Sequence, residues 1–330
     1  SRVSPRRPWR PARSRPGSGS SSALGVTGVM GHPGAAAAVA ASGLCLLVGT
    51  RMTVTARAGL DDALASTPVY SIGSAPPYLP CTHVHTDDLR ASLKLLTATL
   101  TGRGRPARLR VAHDVTRTEL RPPEHHGPGI RYRDAMALLD RTLPEGADIV
   151  VDAGNIGAAA IHQLPVRRDG RFVVALGMGG MGYSFGAAIG MAFGRRRRTV
   201  VIAGDGSFLM HGMEIHTAVQ YRLPVTFLLF DNHAHAMCVT REQLFYGGQY
   251  SYNRFGASRL GAGLSAMFPG LSSVDVDDIE ALPGALAAAL RTDGPSVVSI
   301  DCSADEIPPF AVFLDKTDTK EDNADVVART

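Results

Sequence analysis

The residues whose types and spacing could do chemistry together are Asp205 and Asn232, which stand 232 − 205 = 27 positions apart. Each follows a short apolar run, at 199–203 and 225–230. Asp205 offers a hard carboxylate oxygen and Asn232 a neutral amide oxygen. With a backbone carbonyl and water, such a pair suits Mg²⁺, which takes few protein ligands and completes its shell with phosphate oxygens. Gly204 and Gly206 let the backbone approach a phosphate closely, and Ser207 adds a hydroxyl donor. A lone Gly-Asp-Gly would more often be an ordinary strand-end turn with an Asx cap. With Asn232 at the end of the next apolar run, a metal-bound diphosphate becomes the better reading. His233 and His235 follow at once, and either could shuttle a proton or orient a carboxylate substrate. Against that stands the plainer reading that one packs under the loop and the other is solvated.

The two apolar runs are rich in β-branched and aromatic residues and read as buried parallel strands. A segment of helical character at 212–221 lies between them, closed by Arg222-Leu223-Pro224. That is a βαβ unit with a right-handed crossover. Each strand runs into a polar turn, Gly204-Asp205-Gly206-Ser207 and Asp231-Asn232-His233. Ligands of open α/β sheets bind outside the carboxyl ends of strands, so Asp205 and Asn232 are expected side by side. Around this unit the pattern predicts helices over 135–143, 186–193 and 279–290. Strands are predicted over 148–152, 172–176 and 296–301, giving five or six parallel strands. Met210 and Met237 are candidate apolar walls, core packing being nearly as good a reading.

Upstream, a helix at 35–41, strands at 44–49 and 68–72, and a helix at 87–100 have α/β character. The expected fold class is therefore α/β, with two doubly wound parallel-sheet domains. Residues 24–122 form a first domain, 123–128 a linker and 129–315 a second domain. Residues 1–23, dominated by Arg, Pro, Ser and Gly, are expected to be a disordered basic tail, and 316–330 a frayed one. The basic tail has no apolar h-region and so is no signal peptide. Folded-looking sequence begins abruptly at Leu24, which raises the expectation that the tail is a truncation scar or an out-of-frame read. His83 and His85 alternate on an extended segment without an apparent third ligand, and His125-His126 sit among prolines; neither pair is expected to do chemistry.

Here the residues carry a family resemblance. Gly204-Asp205-Gly206 followed one βαβ unit later by Asn232 resembles the thiamine diphosphate motif. The resemblance implies Mg²⁺ held by the side chains of Asp205 and Asn232 and the carbonyl of Ala234. Gly179-Gly180-Met181-Gly182-Tyr183 is similar to the family's aminopyrimidine-binding turn. It implies contacts from the Gly179 carbonyl and Met181 amide, with the Met181 side chain wedging the cofactor into its bent form. Asp152-Ala153-Gly154-Asn155 resembles a diphosphate-contacting loop, which makes Asn155 a cofactor-binding candidate. With Gly204, Gly206, Ser207 and Met237 these complete the expected cofactor site, and His233 and His235 are its catalytic candidates.

Met237, Leu244-Phe245-Tyr246, Tyr250-Ser251-Tyr252 and Glu306-Ile307-Pro308-Pro309-Phe310 look acetolactate synthase-like. The implied reaction is decarboxylation of a 2-keto acid with carboligation. The alternatives are a 2-keto acid decarboxylase of the same family, or a non-catalytic remnant that only binds cofactor or subunits. Two positions depart from the pattern: Asp231 where the family often has Asn, and Arg241 where it usually has a tryptophan. The first domain resembles part of the family's central domain, a partial Rossmann-like unit that binds FAD in some members; nothing here is a flavin fingerprint. The family's activating glutamate belongs to a pyrimidine-binding domain that matches nothing before Leu24. A second copy or a partner chain carrying that domain is therefore expected, with no activity from this chain alone.

Composition narrows the field further. A chain of 330 residues, 45% hydrophobic and 19% charged, can build two ordinary cores. The net charge of +4 is clustered in arginine runs, and aromatics reach only 6%, so no nucleic-acid platform is expected. The longest apolar region of the first domain falls short of the ~20 residues of a membrane span. Cys45, Cys81, Cys238 and Cys302 are widely spaced, as in a reduced, cytoplasmic enzyme.

Overall fold

The computed structural model describes residues 23–104, 106, 109–110, 115–249 and 251–317. The basic tail before Ala23, Tyr250 and nearly all of the expected frayed tail lie outside the described residues; Lys316 and Thr317 close a helix spanning 311–317.

The first part of the chain runs α1 (Pro33–Ala41), β1 (Cys45–Val48), α2 (Val54–Arg57), α3 (Asp61–Ser66), β2 (Val69–Gly73), β3 (Thr82–His85) and α4 (Leu89–Leu100). Its three strands are parallel, in the order β1-β2-β3. The order never reverses, so this is a partial version of a doubly wound sheet. Asp88 caps α4, its carboxylate accepting from the Ala91 amide at 2.9 Å. A small core of Leu47, Met52, Leu60, Leu64 and Val69 lies beneath the sheet.

The second part runs α5 (Tyr132–Thr142), β4 (Asp148–Val151), α6 (Asn155–Gln163), β5 (Phe172–Val174), α7 (Tyr183–Arg195), β6 (Thr199–Gly204), α8 (Asp205–His211), α9 (Ile215–Gln220) and β7 (Val225–Asp231). It continues with α10 (Ala236–Phe245), α11 (Leu260–Met267), β8 (Ser272–Val276), α12 (Leu282–Arg291) and β9 (Ser296–Asp301). The six strands are all parallel, in the order β5-β4-β6-β7-β9-β8. Successive side chains of a strand point to opposite faces. Ile149, Val151, Val200, Ile202, Leu228 and Phe230 therefore meet α5, α6 and α12 on one face. Val150, Val201, Ala203, Phe227 and Leu229 meet α7, α9 and α11 on the other. Covering both faces is what makes these strands continuously apolar.

Several sequence expectations are corrected. Gly204-Asp205-Gly206-Ser207 is not a turn: β6 passes directly into α8, with Asp205 in its first turn, where the helix dipole favours a carboxylate. The helix expected over 212–221 is α9, preceded by a 3₁₀ turn at Gly212–Glu214. Gly212 faces the Phe208 ring so closely that a Cβ there would overlap it, and the chain is re-aimed at that point. Helix α12 begins at Leu282 rather than 279, with Pro283 inside its first turn. Strand β8 and helices α10 and α11 had no strong periodic signal; β8 is a half-exposed edge strand reading Ser-Ser-Val-Asp-Val.

The two parts meet at a stacked pair of buried histidines. The rings of His32 and His162 lie 4.2 Å apart and 12° from parallel. His162 lies in α6; its Nδ1 is 3.0 Å from the Met30 carbonyl, and its Nε2 accepts from the Leu120 amide at 3.1 Å. His32 Nδ1 accepts from Val26 N–H at 3.1 Å. Burial above all, then its neighbour His162 and Arg117, lower the pKa of His32 from 6.5 to about 4, while Glu119 opposes them weakly. Burial likewise lowers that of His162. A lowered histidine pKa means that the folded state disfavours the proton. This junction is therefore fully stable above about pH 6.5 and weakens as pH falls toward 4. The melting temperature should drop by several degrees between neutral and acidic buffer, and His32→Phe should shrink that drop; an unchanged acid response in the variant would place the lability elsewhere.

Candidate functional site

The strand order reverses between β4 and β6, the place where open α/β sheets bind ligands. Asp152 follows β4 and Asp205 follows β6. The two carboxylates are 0% and 2% exposed but have different surroundings. Asp152 is fully engaged. It accepts from Gly182 N–H at 3.0 and 3.1 Å, Ser184 N–H at 3.1 Å, Ala153 N–H at 2.9 Å and the Ser207 hydroxyl at 2.8 Å. One side chain thus ties the glycine turn, the start of α7 and the start of α8 together. Gly182 sits at φ +85°, and a Cβ there would overlap the His211 ring, so only glycine fits.

Asp205 is only half engaged. Its Oδ2 accepts from the Ala234 amide at 3.1 Å, while its Oδ1 is buried without a hydrogen-bond partner. The same Ala234 amide donates to Asn232 Oδ1, also at 3.1 Å. The side-chain oxygens of Asp205 and Asn232 therefore converge on one N–H. The register explains the meeting: Gly204 is opposite Phe230 across β6 and β7, so the residues after them emerge side by side. An isolated antiparallel bridge between Ala234 and Arg254 holds the loop, with Phe255 N–H on the His233 carbonyl at 2.6 Å and His235 N–H on the Asn253 carbonyl at 2.8 Å.

Burial first, then the neighbouring Asp231 carboxylate, raises the pKa of Asp205. Asp301, opposite Asp231 across β7 and β9, is raised as well, chiefly by burial, with Asp231 adding and His233 opposing. His233 adopts φ +53° and brings its Nδ1 to 2.9 Å from Asp231 Oδ1. That is ion-pair distance without the alignment of a hydrogen bond.

A second group meets behind Gly206. A Cβ on Gly206 would lie 2.5 Å from His235 Nδ1 and 3.3 Å from Met181 Cε, so Gly206, His235 and Met181 share one small space. His235 Nδ1 has no partner, and its ring meets Phe255 edge-on at 4.7 Å. Other expected residues stand differently. Ser207 is 1% exposed and turned inward to Asp152. Asn155 is 2% exposed, its Nδ2 donating to Thr240 Oγ1 at 3.0 Å and the Glu306 carbonyl at 3.4 Å, while its Oδ1 is buried and unpartnered. Gly179 lies in the exposed glycine turn at φ +67°, and Met237 is half-buried on α10.

Three residues stand in this neighbourhood whose place beside the site the sequence did not show. Tyr132 is fully buried; its hydroxyl donates to the Ser303 carbonyl at 3.2 Å and accepts from Asn232 Nδ2 at 3.5 Å. Glu306 receives the Tyr132 amide at 3.1 Å on both oxygens, and burial lifts its pKa to about 7. Cys302 is buried beside them, with its thiol pKa pushed up by desolvation. No local pattern marked Tyr132, which reaches Asn232 across 100 residues of sequence.

The fold and the site define an α/β protein with paired oxygen donors at the carboxyl edge of a parallel sheet. Residues 152–300 match the thiamine pyrophosphate enzyme family, in its C-terminal TPP binding domain. Over about half of its length the chain is similar to acetolactate synthase large subunits. It is 35% identical over 182 residues to a protein of Mycobacterium tuberculosis described as an acetolactate synthase large subunit, covering 54% of this chain and 32% of that one. It is 30% identical over 181 residues to the acetolactate synthase isozyme 2 large subunit of Escherichia coli, covering 54% and 33%. The chain thus spans about a third of the length of these relatives. Among solved structures, benzoylformate decarboxylase from Polynucleobacter necessarius superposes with a TM-score of 0.62 at 18% identity, over 80% of this chain and 50% of that one. That likeness concerns the fold.

The geometry makes Asp152 the structural tie of the site. Asp152→Ala would strand two or more buried amides and the Ser207 hydroxyl, at a cost of at least about 3 kcal/mol. Chemical denaturation should show that loss, whereas Ser207→Ala should cost only about 1 kcal/mol.

Proposed function

We propose that this chain provides the diphosphate- and metal-binding half of a thiamine diphosphate-dependent enzyme that decarboxylates a 2-keto acid and joins the product to a second carbonyl, as an acetolactate synthase does. The observation that carries the reading is the convergence of Asp205 and Asn232 on the Ala234 amide, with the second Asp205 oxygen buried and unpartnered. A buried carboxylate oxygen with nothing to accept is costly unless a proton or a cation completes it, and the paired Asn232 oxygen favours the cation. The donor set is one carboxylate, one amide and the nearby Ala234 carbonyl, all hard oxygens, which fits Mg²⁺.

In this reading Asp205, Asn232 and Ala234 hold the metal. Gly204 and Gly206 leave room for the diphosphate, and the unpartnered Asn155 oxygen lies beyond, nearer α10. Bound there, thiamine diphosphate would supply the electron sink for the carbanion left by decarboxylation. Met181 would support the cofactor from the Gly206 side, and Gly179 and the Met181 amide would contact its pyrimidine. His235, with its Nδ1 unpartnered in the same space, is placed to hold or pass a proton; His233 is the second candidate. Met237 would help to line an apolar wall.

The first sheet, within residues 24–122, would be part of the family's central domain, and residues 129–315 its diphosphate-binding domain. The pyrimidine side of the site would be closed by a pyrimidine-binding domain carried by a partner chain. Met178, Leu209, Met210 and Met213 offer it an exposed apolar surface beside the glycine turn; Met178 is 90% exposed. Among the described residues no helix is long and apolar enough to cross a membrane, and all four cysteines are free thiols, which fits a reducing cytoplasm.

Calorimetric titration of thiamine diphosphate, with and without Mg²⁺, tests the reading. Binding should require the metal and fall at least tenfold in Asp205→Ala. Binding equally tight in Asp205→Ala, both proteins being folded by circular dichroism, would rule out this metal-diphosphate site.

A further inference from the structure

Tyr132 has no role in the reading above, yet it is fully buried against one of the residues assigned to the metal. It opens α5, where a helix leaves its first amides without partners. Glu306 supplies the partner, accepting from Tyr132 N–H at 3.1 Å on each oxygen. The backbone of Tyr132 is thus pinned to the segment that follows β9. The same segment is pinned to the end of β7, with Cys302 N–H donating to the Asp231 carbonyl at 3.0 Å. The Tyr132 hydroxyl therefore stands at a fixed place beside Asn232.

The polarity of its bonds is the informative part. A tyrosine hydroxyl has one proton to give and can also accept. That proton goes to the Ser303 carbonyl at 3.2 Å, and a carbonyl can only accept. Toward Asn232 the hydroxyl can then only accept, and Nδ2 donates to it at 3.5 Å. On the other side of the same amide, Ala234 N–H can only donate, and Oδ1 accepts from it at 3.1 Å. Both neighbours thus demand one orientation. Turning the Asn232 amide over would set its oxygen against the hydroxyl oxygen and its NH₂ against the Ala234 N–H. It would also present NH₂ where a cation needs an oxygen. The bond at 3.5 Å is long, so its effect lies in excluding the reversed amide rather than in its own strength. A carboxylate such as Asp205 needs no such device, because its two oxygens are chemically equivalent.

We propose that Tyr132 is a positioning residue for the cation site. The one-way chain from Asn232 Nδ2 to the Tyr132 hydroxyl to the Ser303 carbonyl presets the Asn232 amide with Oδ1 toward Asp205. The inference rests on Asn232 being a metal ligand, and concerns what aims it.

The test is a double-mutant cycle on the full chain, read by calorimetric titration of thiamine diphosphate at graded Mg²⁺ concentrations. Tyr132→Phe keeps the ring, removes the hydroxyl, and should weaken Mg²⁺ about tenfold. In an Asn232→Asp background the same change should alter Mg²⁺ affinity by less than about twofold, because a carboxylate offers an oxygen either way round. An equal loss in both backgrounds would make Tyr132 a packing residue only. That result, or no loss in the wild-type background, overturns the inference and leaves the Asp205 reading standing. No Mg²⁺-dependent binding by the wild-type chain, or binding that Asp205→Ala leaves unchanged, overturns both. Nuclear magnetic resonance of the wild-type chain, labelled with ¹⁵N at asparagine, decides the point without Tyr132→Phe. The side-chain amide missing from the Asn232→Asp spectrum should exchange with water at least about tenfold more slowly than free asparagine, before any metal is added. Exchange at the free rate overturns the inference, even where Asn232→Asp binds no metal.

Discussion

Two buried carboxylates at the ends of neighbouring strands set the terms for everything around them. A charge taken out of water must be met by donors or by another charge. Asp152 is met by backbone amides and one hydroxyl, and so becomes a structural tie between the glycine turn, α7 and α8. Asp205 is met by one shared amide, keeps an oxygen with no partner, and faces a second buried carboxylate. The same residue type at equivalent strand ends thus has two fates: one closed by the fold, the other left for something the fold does not contain.

The sheet topology produces that contrast. The chain lays β5 outward from β4 and then returns to the other side with β6, which opens the crevice between their carboxyl ends. Parallel register brings Asp205, Asp231 and Asp301 to the same edge, one per strand end. The apolar strands behind them are covered on both faces, so the acidic edge rests on a rigid support. Precise placement of ligands needs such support more than it needs many contacts.

The first sheet contributes differently. Its helix α4 has no fully buried residue, and its core is small. Its connection to the larger sheet depends on a few specific contacts, the stacked His32 and His162 among them, together with Val29 and Met30 against Ala158. A junction made of two neutral imidazoles is sensitive to protonation in a way that an aliphatic junction is not.

Much of this was legible in the sequence. The apolar runs at 199–203 and 225–230, with the polar residues closing them, were enough to expect a βαβ unit and to pair Asp205 with Asn232, because strand adjacency turns 27 positions of sequence into a shared edge. The Gly-Met-Gly turn was legible only through its resemblance to a family motif; why glycine must stand at 182, a positive φ and the close approach of His211, came from the structure. Other features were decided only by tertiary structure. Asp152 gave no sign of gathering four donors, since three come from segments 30 to 55 residues away. Tyr132 and Glu306 reach Asn232 and Tyr132 over 100 and 174 residues of sequence, and β8 became a strand because β9 offered it an edge. The physical reason is range: periodicity and turn chemistry act between near neighbours in sequence, and so they determined the elements and the ligand types. Burial, shared donors and facing charges arise only when distant segments pack, and these decided which carboxylate the fold satisfies and which it leaves open.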